Sequence, residues 1–317
     1  MISFRYHIVS IVSVFLALAI GVALGGGPLK GKVDNTLVDQ VKSDRQVKTR
    51  LQSDITSLRS SNTFTDDFAA TVAPKVLGGT LRGRVVTIVV LPTAPETDVA
   101  GLKNMVRLAG GTLGGTLRVG TKLVDAGNKQ LVDQLGKQVE STAAGVDIPS
   151  GASVYERMGL LIGRAIGAPG AGGASVDGTS TTVLSALDAA SLMSADGTLN
   201  RRGDLVLFVT GAGRGAQAEQ KGASTIVTTM VRAVDSETAG TVLAGPVASA
   251  RGNGQVRALR EDVGAARDVS TVDSLGRTAG QVVTVLALAG QASGKTGQYG
   301  AVDAADGAMP GARSATG

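Results

Sequence analysis

The 317-residue chain has no cysteine and no tryptophan, and its only histidine is His7. Without cysteine there is no disulfide, no thiolate nucleophile and no Cys-based metal site. With a single histidine at the start of an apolar run, a Ser-His-Asp constellation has no usable base. Aromatic residues are only 3% of the chain, so platforms for stacking nucleic-acid bases are nearly missing. The basic residues are dispersed, and the net charge of +5 with a pI near 9.6 suits an anionic membrane surface or polymer better than nucleic acid. The methionines (Met1, Met105, Met158, Met193, Met230 and Met309) are scattered. None stands at the close spacing a soft Cu(I) site favours, and isolated methionines usually fill cores.

What is present is aliphatic and flexible. Hydrophobic residues reach 43% and glycines number 45, which predicts a Val, Leu, Ile and Ala core joined by many tight turns. The length allows one large or two modest domains.

The N-terminus reads "FRYHIVSIVSVFLALAIGVALGGGPLKG". Residues 8–24 carry no charge, which is short but sufficient for a membrane helix. Ala17-Leu18-Ala19 offers a signal-peptidase site, but the apolar run continues past it to the polar stop at Gly25-Gly26-Gly27-Pro28. Ser13, Ala17, Gly21 and Gly25 recur every fourth residue, the spacing of small-residue packing between membrane helices. Arg5 precedes the span, while Lys30 and Lys32 follow it, so flanking charge does not fix orientation. The expectation is a retained anchor (1–29) with an exported C-terminal part; a cleaved signal and the opposite orientation stay open.

A heptad pattern follows. Leu37, Val41, Asp44, Lys48, Leu51, Ile55 and Leu58 are spaced by fours and threes, and five of these seven slots are apolar. A coiled coil over 34–62, within a segment 30–66, would be about 43 Å long. The expected contacts are Leu37, Val41, Leu51, Ile55 and Leu58, made with a second copy or with another protein's helix. An amphipathic helix lying on its own domain satisfies the same pattern.

From residue 84 strands and helices alternate. "RVVTIVVLP", "GGTLRVG", "GDLVLFVTG" and "GTVLAG" read as strands. Helices are expected over 98–109, 123–140, 154–166, 181–192, 224–234 and 255–262, and a last one over 274–289 behind the capping-box-like run Ser270-Thr271-Val272-Asp273. This predicts a parallel-sheet α/β, Rossmann-like domain over 67–290 and a loosely ordered Gly-rich tail over 291–317.

Two nucleotide-like motifs fail on context. "AGQASGKT" (289–296) has a helical pattern before it and no helix after it, the reverse of a phosphate loop. "GAGRGA" (211–216) follows a strand, but "GPVASAR" stands where a dinucleotide site needs an acidic residue for the ribose. Glu261-Asp262 reads as a solvated helix face. No catalytic, cofactor-binding or metal-ligating residue is assigned, and the chain is read as not an enzyme.

The N-terminal 25 residues, the coil, "RVVTIVVLP" and "VSTVDSLGRTAGQVVTVLALAGQASGKTGQYG" resemble the actinobacterial MctB-type copper transporter family, over nearly the whole chain. The resemblance implies a cell-envelope protein with an N-terminal membrane segment, and the family label implies copper efflux and an outer-membrane location. A relative, SteB, implies instead a partner, SteA, and a role in cell separation. Copper enters only through this resemblance. The residues themselves fit a β-barrel poorly: a barrel needs many alternating segments and aromatic girdles, and the chain has five Phe and three Tyr. The reading is a single-pass membrane protein acting by protein contact, with copper export by an oligomer or complex as the alternative.

Overall fold

The computed structural model describes residues 4–25 and 29–311, the side chains of 29–36 excepted. Gly26, Gly27 and Pro28 of the expected polar stop lie outside the described residues. The chain divides into two compact units, residues 1–64 and 65–317.

The first unit is helical. Helix α1 (Phe4–Gly25) has no buried residue. Helix α2 (Leu29–Leu77) runs 49 residues, and its final turns belong to the second unit, where Ala69, Ala73 and Leu77 are buried.

The second unit opens with β1 (Val85–Val90), α3 (Glu96–Leu108) and β2 (Thr112–Val119). Then come α4 (Thr121–Val124), α5 (Lys129–Glu140), α6 (Val154–Ile166), β3 (Ala174–Ser175), α7 (Gly178–Ala189), β4 (Met193–Ala195) and β5 (Arg201–Arg202). The strand β6 (Leu205–Val209), α8 (Gln217–Asp235), β7 (Gly240–Ala244), α9 (Gln255–Glu261) and α10 (Val263–Asp268) follow. The last elements are β8 (Ser270–Val272), α11 (Thr278–Gln291) and β9 (Gln298–Tyr299).

Seven strands form one sheet in the order β4-β2-β1-β6-β7-β8-β9. All neighbouring pairs are parallel except β2 with β4. The four residues of "VVTIVV" that flank its centre show why such strands are hydrophobic throughout: both faces are covered by helices. Val86, Ile88 and Val90 join α3, α11 and the end of α2 in one core. Val89 faces the opposite core, built with α5, α6 and α8. The α/β class with a mostly parallel sheet is therefore as the sequence predicts.

Several local expectations are corrected. The helix expected over 123–140 is broken at Asp125, which bonds to the Gly127 N–H and the Asn128 amide instead of extending a helix. Ser270–Val272 is not a cap but the strand β8, hydrogen-bonded beside β7. The helix behind it starts at Thr278, and its first N–H is capped by Asp66 of α2, whose other oxygen takes Arg277 at 2.8 Å. The segment after Gly290 is not loose as far as it is described. Its β9 pairs with β8, and Asp306 bonds back to the Gln298 N–H.

Candidate functional site

In α1, Ser13, Ala17, Gly21 and Gly25 are all exposed on one face by their four-residue spacing. The Ser13 hydroxyl donates to the Val9 carbonyl one turn back, at 2.8 Å. A hydroxyl satisfied within its own helix costs little in an apolar medium. The helix is long and apolar enough to cross a membrane.

The heptad residues of α2 are also uncovered. Leu51 is 55% exposed, Ile55 47% and Leu58 63%, and Leu37 and Val41 are exposed too. The two polar slots, Asp44 and Lys48, are exposed, and Gln40 donates to Asp44. Most of the apolar stripe of a helix is normally buried against something. Over 37–58 these apolar side chains are exposed among the described residues.

The α/β domain carries a cleft of about 790 Å³. It opens beyond the carboxyl ends of β1, β2, β6 and β7, where the connections that carry Pro92, Thr121, Gly211 and Asn253 converge. The chain leaves β1 for β2 on one side and returns at β6 on the other. That reversal splits the connecting loops apart and creates the crevice where open α/β sheets take their ligands. Gly211 is fixed by close packing, because a Cβ there would overlap the Thr93 carbonyl. The sequence singled out the loop 211–216 but not its three partners, since strand order is not written in local pattern.

The charged groups of the cleft differ in how they are engaged. Asp125 gives both oxygens to its own turn, and Glu219 accepts the Ala216 N–H. Arg214 makes no hydrogen bond or ion pair among the described residues. At the bottom, the Thr210 hydroxyl donates to Gln255 Oε1, so the Gln255 amide nitrogen is left pointing to no acceptor.

Elsewhere buried charge holds the fold. Arg260, with its side chain 9% exposed, donates to Thr271, Asp273 and the carbonyls of Tyr299 and Val302. Fully buried Asp273 also accepts the N–H groups of Ala301 and Val302. Arg84 pairs with buried Asp204 at 2.9 Å. Glu261 pairs with Arg257, and Asp262 caps α10, so both are structural. Asp235, at the end of α8, is the exception. Burial pushes its carboxyl up to about 6, reinforced by Asp268 and opposed by Thr241, and its Oδ1 has no partner.

Residues 289–296 form the end of α11 and the turn after it, with no strand before them, so they have no phosphate-loop geometry. Among the described residues no group of three or more His, Cys, Asp or Glu side chains comes together to hold a metal ion.

A family model described as "Copper transport outer membrane protein, MctB" matches residues 1–310. The copper transporter MctB of Mycobacterium tuberculosis (strain H37Rv) is 30% identical over 319 residues, covering 95% of this chain and 96% of its own. That of Mycobacterium bovis is equally similar. The Mycobacterium leprae protein of the same name is 32% identical over 322 residues, with the same coverage. With the match running through the membrane-type helix, the rod and the sheet alike, the chain belongs to the MctB family.

Proposed function

We propose that this protein is a single-pass, membrane-anchored member of its family that works by protein contact, through the stripe of α2 and its α/β domain. The observation that carries the reading is the uncovered heptad stripe. Five large aliphatic side chains stay in water on a helix that follows a membrane-type segment. Burying them against a second helix gains roughly 1.5 kcal/mol or more for each one fully covered. Asp44 and Lys48 interrupt the stripe, and polar slots of this kind set register or partner at a cost in stability. The partner is a second copy or a helix of another protein, such as a SteA-like one, in cell-wall and cell-separation control. The domain is exported to the envelope space.

The test replaces Leu51, Ile55 and Leu58 with Asp in the full-length protein. Complexes captured by cross-linking in membranes should disappear while the protein stays membrane-bound and folded. Unchanged assembly would overturn the reading.

The relatives' name favours a second reading, copper export through an oligomer or a partner complex. This chain offers no thiol, its one imidazole, His7, lies in α1, and its methionines are scattered in sequence, so a clustered soft copper site would draw ligands from a second copy or a partner. A deletion strain should then hold more copper and grow poorly in it. Normal copper content would remove this reading without touching the first.

A further inference from the structure

We infer that the cleft at the β1/β6 reversal is a binding site for a small organic anion, a phosphate- or carboxylate-bearing molecule with an uncharged, largely apolar body. This goes beyond the contact function and does not depend on it. The volume of about 790 Å³ falls in the range of small-molecule sites, roughly 300–1,000 Å³. The walls are mainly small and apolar, with Pro92, Val124, Ala126, Ala218 and Ala223 among them.

The chemistry of the head group follows from which polar groups are free. Both carboxylates on the wall are committed to the loops that carry them. The one charged side chain without a partner is Arg214. Beside it, the backbone N–H groups of Gly211, Ala212, Gly213, Arg214 and Gly215 have no acceptor among the described residues, and the Gln255 amide nitrogen has none. Among the described residues the one uncommitted charge of the cleft is thus positive, and a guanidinium with planar donors is matched best by a carboxylate or phosphate. Gly211 and Gly213 keep the loop low. A Cβ at Gly211 would strike the Thr93 carbonyl, and one at Gly213 would lie 2.7 Å from Gln220 Oε1. A full dinucleotide is a poor match, because the turn after β7 supplies Gly245 and Pro246 where a ribose would need a carboxylate.

The experiment is calorimetric titration of the full-length protein in detergent micelles with phenyl phosphate, benzoate and neutral benzyl alcohol. Saturable binding is expected for phenyl phosphate, benzoate or both, at least tenfold tighter than for the alcohol; which of the two binds better assigns the head group. Arg214→Ala should weaken anion binding about tenfold or more, and Arg214→Lys should restore part of it. Ala218→Trp, which fills the cleft from an exposed helix position, should abolish it with thermal stability kept. No saturable anion binding, equal binding of the alcohol, or binding indifferent to both Arg214→Ala and Ala218→Trp would overturn the proposal.

Discussion

Leucine and isoleucine have opposite surroundings in the two units of this chain. In the stretch 37–58 of α2 they stand about half exposed, whereas Leu102, Leu117 and Leu207 in the α/β domain have no exposure at all. What separates the two stretches is cover: the sheet has helices on both faces, whereas among the described residues the stretch 37–58 is left exposed. A protein can thus carry one core that it completes alone and a second apolar face left for something else to complete.

The largest effect expected inside the self-completed region comes from Asp273→Ala. It leaves Arg260 as a buried cation without its carboxylate and should cost about 3–5 kcal/mol, read as a large fall in the thermal midpoint of the α/β domain. Next, Leu207→Ala should cost roughly 2–5 kcal/mol. Leu58→Ala in the rod should change the same unfolding transition by less than about 0.5 kcal/mol and act on assembly instead. Equal costs for the two leucines would erase the contrast between the regions.

Asp235 gives a smaller effect of opposite sign. Its folded pKa, about 6, lies above the ordinary 3.8, so the folded state holds the proton more tightly. The domain therefore loses stability as pH rises from about 4 through 6. Asp235→Asn should raise the midpoint at pH 8 by roughly 1–3 kcal/mol equivalent and bring no gain at pH 4. A more local effect belongs to the place where α2 enters the domain. Asp66→Ala removes the cap from α11 and should cost about 1 kcal/mol, seen as faster hydrogen exchange in the first turn of that helix.

Much of the architecture was legible in sequence because it rests on local pattern. "VVTIVV", "LVLFV" and "GTVLA" are continuous apolar runs of strand length, and the helical pattern over 154–166 is where α6 lies. What failed depended on distant partners. Ser270–Val272 looks like a helix cap until β7 is placed beside it. Gln298 and Tyr299 look like tail until β8 offers a neighbour. The cleft was legible only as one glycine-rich loop, because the other three walls come from residues up to about 120 positions away. The α2 stripe is the reverse case: its periodicity is plain in the sequence, yet no pattern within one chain names what covers it.

The arrangement around Arg260 has a consequence for synthesis. Its acceptors lie at 271, 273, 299 and 302, all later in the chain than the arginine itself. During translation or export the cation emerges first and waits for the final stretch to arrive. A product that stops before residue 298 keeps Asp273 but lacks two of the four acceptors, together with the edge strand that shields them. The last strand thus closes the shell around Arg260, and chains ended before it should be cleaved faster by an added protease than the complete chain.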